Sequence, residues 1–353
     1  MREDLTNPIC GPPLAWIRIS APRRTALRST TPLGTPLLLV TIAVLCCFAP
    51  AISAAWVEFV DETATRLVAA PANGVEDQEE KSFSWGDLDH DGDIDLVVGR
   101  KQPWTTPGKR TNVLFVNQDG VLTDRTADFA TASDVAGDQG FLTPTNDRDI
   151  RMVDVDLDGW LDVVTVATLS DSDPKHIGHP RIYINLGCSE GGTEASTCTT
   201  DDWLGLRYEE PRIPAMLTYT GESGFNPRFL AVSAGDVNGD GYTDLWFSDN
   251  DLAGQPPGAD FNDKLLLNQG ASNPGFFTDV TADMFGVVPG PGGAPFPVSS
   301  LGSSSAIADM NDDGTNDIVK MTALNPPQYT AIAYNGEGGF ESYDVVYQRA
   351  HEI

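Results

Sequence analysis

With 353 residues and 41% hydrophobic composition, the chain is long enough for one large domain or two ordinary ones and apolar enough to bury a core. Its 51 acidic residues against 22 basic ones, a formal charge of -29, argue against nucleic acid as a partner, because phosphates need a basic footprint. Cations are the natural partners of such a surface.

The N-terminus differs in kind from the rest. Arg18, Arg23, Arg24 and Arg28 precede an uncharged stretch from Ser29 to Val57 whose apolar centre runs from Leu37 to Phe48. This pattern predicts an export signal over residues 1–55, cleaved after the small residues Ser53 and Ala55 so that the mature chain starts near Trp56. The stretch is also long enough to span a bilayer, which makes an uncleaved membrane anchor the alternative; Pro50 and the small-residue tail favour cleavage. The pair Arg23 and Arg24, followed by Leu27 and Arg28, resembles a twin-arginine signal. Removing the segment leaves 17 basic against 49 acidic residues, so export makes the protein more acidic. The expected location is secreted or cell-surface, in the periplasm or outside the cell, with membrane contact only through an uncleaved anchor.

Of five cysteines, Cys10, Cys46 and Cys47 fall in the signal, leaving Cys188 and Cys198 on either side of the loop SEGGTEAST. In an oxidising compartment the economical reading is a local disulfide stapling a surface loop. A catalytic or metal-binding thiol is the competing reading, and the only histidines near in sequence are His176 and His179.

From Trp56 onward one nine-residue pattern, D-x-[DN]-x-D-G-x-x-D, recurs four times, at 87–95, 154–162, 236–244 and 309–317. The spacings of 67, 82 and 73 residues are too long for a helical solenoid and suit a four-stranded unit with its connections. Strand-like segments flank each copy: FSW, IRMV, FLAVS or SAIA before it, and LVV, VVTV, LWF or IVKM after it. A further strand ending in Asn follows in each unit, NVLFVN, RIYIN, KLLLN and AIAYN. Outer-strand segments VLTDRTADF, FFTDVTADMF and the looser GFESYDVV come next, while the second unit inserts the cysteine loop before LRYEEPRIP. Proline- and glycine-rich stretches such as GVVPGPGGAPFP separate units, and helical periodicity is weak throughout.

Acidic side chains at this density need a positive partner, since two carboxylates 4 Å apart repel by about 1 kcal/mol even in water. Calcium fits best: it is hard, takes six to eight oxygens and tolerates irregular geometry, whereas magnesium keeps its water and zinc prefers nitrogen and sulfur. Positions one, three, five and nine supply side-chain oxygens: Asp87, Asp89, Asp91 and Asp95; Asp154, Asp156, Asp158 and Asp162; Asp236, Asn238, Asp240 and Asp244; Asp309, Asn311, Asp313 and Asp317. Position seven, held by Asp93, Trp160, Tyr242 and Thr315, supplies a backbone carbonyl, and Gly at position six allows the turn. An EF-hand is rejected, because it requires a bidentate Glu at position twelve, where this chain has Val98, Thr165, Phe247 and Lys320. The plainer reading is four Asx-rich hairpin turns without metal. Four copies in one register weigh against it, since turns alone do not demand Asp or Asn at every site.

The loops, the Gly-Asp starts at Gly86 and Gly235, and the following Asn and FTDVT-like strands resemble the FG-GAP and VCBS-type repeats of integrin α-chain propellers and of many exported bacterial proteins. The resemblance implies an all-β fold, a β-propeller with four visible blades, each carrying a structural calcium, up to four ions in all. Lys320 and the sparse strand pattern of the fourth unit make its loop the weakest expected site. The N-terminal segment WVEFVDETATRL also resembles an outer strand, giving about five such strands for four loops. The expectation that follows is a fragment of a longer ring or an incomplete gene model.

The function so implied is an exported, calcium-stabilised scaffold that presents loops to an extracellular protein or glycan, not an enzyme. The alternative is a propeller-based polysaccharide lyase or hydrolase, because propellers host such chemistry. Against it, the chain has no H-E-x-x-H zinc site, and most carboxylates are committed to loops. His90 is expected to face solvent within its loop, and His176 and His179 to lie in a surface loop. Trp104, Trp203 and Tyr219 are read as core or loop filler rather than a sugar-binding surface.

Overall fold

A computed structural model describes residues 59–347 apart from 75, 78–79, 103–107, 169–172, 190–198, 219–220, 251–260, 286–295, 298–301, 323–329 and 337–338. The expected export signal, Trp104, Tyr219 and Cys198 lie outside the described residues. Among those described, no helix is long and apolar enough to cross a membrane. Residues 61–353 form one unit, and its fold is all-β with four separate sheets.

The first sheet contains β1 (Leu67–Val68), β2 (Glu80–Gly86), β3 (Asp95–Lys101), β4 (Val113–Gln118) and β5 (Val121–Asp124) in the order β1-β5-β4-β3-β2. The second has β6 (Ala132–Ser133), β7 (Asp147–Val153), β8 (Asp162–Ala167), β9 (Arg181–Asn185) and β10 (Leu206–Tyr208) in the order β6-β10-β9-β8-β7. The third runs β11 (Phe229–Gly235), β12 (Asp244–Asp249), β13 (Lys264–Asn268) and β14 (Phe277–Asp279). The fourth runs β15 (Gly302–Ala308), β16 (Asp317–Thr322), β17 (Thr330–Gly336) and β18 (Gly339–Tyr347). Each is an antiparallel four-strand meander, and β1 and β6 add a short parallel strand to the edges of the first two. The surplus N-terminal outer strand is therefore corrected: its end, Leu67–Val68, pairs with Leu122 and Thr123 of the first sheet, after a helical turn at Thr63–Arg66.

The second strands, DLVVGRK, DVVTVA and DLWFSD, are buried along their whole length, which is why they read as continuous apolar runs instead of alternating ones. The outer strands β5, β10 and β14 are short, at three or four residues, whereas β18 runs for nine. Consecutive sheets pack through their first strands, β2 on β7, β7 on β11 and β11 on β15. Among the described residues no comparable packing joins β15 to β2. Three apolar layers fill the gaps, with Leu88, Val97 and Ile150 in the first, Val164, Phe229 and Val232 in the second, and Trp246, Phe285 and Ile318 in the third. Gly86 and Gly235 permit this approach: a Cβ on Gly86 would lie 2.6 Å from Leu161 Cδ1, and one on Gly235 2.7 Å from Ile307 Cγ2.

A polar bond repeats at each interface. The Asn that ends each third strand donates from Nδ2 to the position-two carbonyl of the preceding loop, Asn185 to Leu88 (2.8 Å), Asn268 to Val155 (2.7 Å) and Asn335 to Val237 (2.7 Å). The same amide donates to the position-eight carbonyl of its own loop, at Leu161, Thr243 and Asn316. One side chain thus locks strand, loop and neighbouring sheet together. Closed ion pairs add to this: Arg181 with Asp138 (2.9 Å), its guanidinium 3.8 Å from the Tyr208 ring centroid, and Lys320 with Asp263 (3.0 Å).

Two expectations are corrected. His179 is buried after the helical turn Lys175–Gly178, not in a surface loop, and burial lowers its pKa to about 4. Lys320 turns away from the fourth loop toward Asp263 and Phe296, so it does not weaken that loop. Trp203, read as core or loop filler, is a core residue whose Nε1 donates to Asn185 Oδ1 at 2.8 Å. Cys188 is disulfide-bonded, and its backbone bridge to Trp203 closes the base of the cysteine loop.

Replacing Asn268 with Ala strands the buried carbonyl of Val155 and the half-buried one of Thr243 and is expected to cost about 3 kcal/mol in denaturant unfolding. Asn117→Ala loses only the bond to Ile94 and is expected to cost about 1 kcal/mol.

Candidate metal centres

All four acidic loops connect the first strand of a sheet to the second, as their flanking segments predict. Their backbones are superposable in pattern. Position four is left-handed in each, with φ of 59° at His90, 57° at Leu157, 75° at Gly239 and 63° at Asp312. Position six is always Gly, with φ between 87° and 97°, a conformation that side chains rarely adopt.

Three carboxylates fix this shape. The position-one Oδ2 accepts the N–H of the position-six Gly, at 3.1 Å for Asp87, 3.0 Å for Asp154 and 2.9 Å for Asp236 and Asp309. The position-five Oδ1 of Asp91, Asp158, Asp240 and Asp313 accepts the N–H of position seven, at 2.8–2.9 Å. The position-nine carboxylates Asp95, Asp162, Asp244 and Asp317 are fully buried, with Oδ2 on the position-two N–H and Oδ1 on the N–H of the strand-ending Asn. The position-five bonds, two residues along, are Asx turns, and with the position-one bonds they use half of the oxygens at positions one and five.

The remaining oxygens separate the loops into two classes. In the first two loops, carboxylate oxygens of positions one, three and nine, Asp87, Asp89 and Asp95 and then Asp154, Asp156 and Asp162, lie within 4.8 Å of one another. Asp87 Oδ1, Asp89 Oδ2, Asp154 Oδ1 and Asp156 Oδ1 are buried and meet no hydrogen-bond donor. At about 4 Å and an effective dielectric near 20, each such pair repels by about 4 kcal/mol. Converging, donor-free, hard oxygens are what a divalent cation such as calcium requires, and these residues fit one. The backbone carbonyls of Asp93 and Trp160 belong to the same turns.

In the third and fourth loops the position-three amide supplies its own donor. Asn238 Nδ2 donates to Asp240 Oδ2 at 3.1 Å and Asn311 Nδ2 to Asp313 Oδ2 at 2.8 Å. Position-one Oδ1 is also taken, by Gly239 N–H on Asp236 and Asp312 N–H on Asp309, both at 2.7 Å. Tyr242 and Thr315 hold position seven, and the Thr315 hydroxyl donates to Asp313 Oδ1 at 2.5 Å. The fourth loop is exposed from Asp309 to Thr315.

Protonation follows burial. Burial pushes Asp95 up to about 7, with Asp89 and Asp91 adding to it against two N–H bonds. Asp156 and Asp244 are each raised to about 6 and Asp162 well above its ordinary value, again chiefly by burial. Asp89 and Asp158 are raised for the same reason. Asp313, exposed and bonded to Thr315, is instead lowered.

Two features escaped the sequence reading. Arg212 bridges Glu209 (2.7 Å), Asp156 Oδ2 (3.4 Å) and the Pro274 carbonyl (3.2 Å), placing a cation behind the second loop. No local motif marks it. His90 is not simply solvent-facing: its ring stacks on Trp160 at 3.9 Å, linking the first two loops. The role of the strand-ending Asn also needed the third dimension, although its recurrence was visible in sequence. Position twelve, at Val98, Thr165, Phe247 and Lys320, lies within the second strand, away from the loop oxygens.

The pH dependence has a definite sign. Asp95 titrates near 7 folded and near 4 unfolded, so between these values the folded state binds more protons and stability falls as pH rises. In chelator, melting is expected to rise by several degrees from pH 8 to pH 5; in calcium the trend should flatten or invert, because the ion competes with those protons. Differential scanning calorimetry at both pH values checks this. Scanned against protein-family models the chain matches none, and no curated protein matches it, so the reading of these loops rests on their own geometry.

Proposed function

We propose that this protein is an exported calcium-binding β-propeller scaffold of the FG-GAP and VCBS type, which presents loops to an extracellular protein or glycan. The observation that carries the calcium reading is the set of buried, donor-free oxygens of Asp87, Asp89, Asp154 and Asp156, converging in two loops of the same design. The propeller reading is supported by four meanders packed in sequence through their first strands.

Calcium here is structural. It binds where the folded chain converges its carboxylates, so it stabilises the folded state by about 2.7 kcal/mol per site at a hundredfold excess over Kd. The first two loops hold four carboxylates each at positions one, three, five and nine, and the last two hold three, so affinity should follow that order.

Calorimetric titration is expected to count up to four ions, two tight and two weaker, and chelator should lower the melting temperature. Absence of heat and of any melting shift would reduce the loops to hairpin turns. Asp89→Asn installs the residue that the last two loops carry at this position. In chelator the variant should be at least as stable as the parent, because a buried repulsion is gone, while calcium affinity of the first loop drops about tenfold or more, roughly 1.4 kcal/mol.

A further inference from the structure

The two ends of the row of sheets carry complementary halves of the contact that repeats inside it. In each later sheet, two residues of the first strand face the sheet before: Ile150 and Met152 on β7, Val232 and Ala234 on β11, Ser305 and Ile307 on β15. The matching positions on β2, counted back from the acidic loop, are Phe83 and Trp85. These large apolar side chains are 48% and 57% exposed. In register they pair with Val98 and Leu96, members of the apolar cluster of Leu96, Val98, Val113 and Phe115 on the same sheet. Asn117 stands where Asn185, Asn268 and Asn335 reach a preceding loop, yet its amide donates only to Ile94 of its own loop.

The fourth sheet shows the opposite half. The position-two side chains Leu88, Val155 and Val237 are 0%, 0% and 2% exposed because the following sheet covers them, whereas Met310 is 47% exposed. Carbonyls of the first three accept the Asn amides; among the described residues none donates to the Met310 carbonyl. Ala306, at the position of Ser233 on β11, which bonds across to Ser305, is exposed. The first sheet thus has an unmatched amide and apolar knobs, and the fourth an unmatched carbonyl and an uncovered apolar side chain.

We propose that the Phe83–Trp85 face of the first sheet docks the Ala306–Met310 face of the fourth sheet of a second copy of this chain, in a head-to-tail contact that reproduces the internal sheet–sheet interface. The occupant follows from the pattern: the internal interfaces join unlike faces, never two like ones, so a self-matching two-fold contact does not satisfy Asn117 and Met310 together. Such heterologous contacts close into rings or run on as filaments according to the rotation between copies. The test does not depend on the ion reading, because the two positions it changes, Trp85 and Ala306, lie outside the acidic loops.

Sedimentation velocity on the full chain recovered after export tests it, at about 0.15 M salt, where repulsion between these acidic surfaces is screened beyond about 8 Å. The parent should associate as concentration rises to about 100 µM. Trp85→Glu removes one face and Ala306→Glu the other; both positions are exposed, and circular dichroism checks that both variants fold. Each variant alone is expected to stay monomeric or to associate at least tenfold more weakly. Mixed one to one, they should form a heterodimer, since each retains the face that the other lacks. A parent that stays monomeric throughout the range overturns the proposal, and so does association of the parent without pairing of the mixed variants.

Discussion

The buried aspartate at the ninth position of each loop is the constraint on which the rest of the structure turns. One oxygen holds the second residue of its own loop and the other the amide that ends the third strand, so it joins the loop to the sheet behind it. That strand-ending residue is the Asn whose side chain reaches the preceding sheet. A carboxylate placed for backbone bonding thereby sets loop shape, strand register and the spacing between sheets. Its cost is a charge with little water around it, visible in the raised pKa values of Asp95, Asp162 and Asp244.

This cost is met differently along the chain. In the first two loops further aspartates converge on the same point and leave oxygens without donors, a set that a bound cation would complete. In the last two, an Asn amide and extra backbone N–H groups occupy those oxygens, so the loop is satisfied by itself. One nine-residue design therefore spans a range from loops that keep unmatched buried oxygens to turns whose oxygens are satisfied from within. The two loops that keep unmatched oxygens are also linked to each other, His90 of the first stacking on Trp160 of the second.

Charge and packing divide the labour. The surface is strongly acidic, yet the layers between sheets are aliphatic and aromatic, with Phe285 stacked on Phe340 at 4.3 Å in the last of them. Two of the buried cations, Arg181 and Lys320, are held in closed pairs with Asp138 and Asp263 and lie against aromatic rings. Desolvated charges of this kind specify an arrangement more than they add stability.

The four loops, their place between a first and a second strand, and the Asn ending each third strand were legible in the sequence, because each is a local pattern: a turn needs Gly at a left-handed position, and a doubly covered strand needs an unbroken apolar run. The fate of the N-terminal segment was not, since a two-residue parallel edge at Leu67–Val68 depends on which distant strand lies beside it. Nor was the burial of His179, the pairing of Lys320 with Asp263 or the approach of Arg212 to Asp156, separated by 56 residues. Local composition determined which residues fold into loops and strands. Only the tertiary structure decided which carboxylates keep unmatched oxygens, because that depends on which backbone donors other parts of the chain bring within about 3 Å.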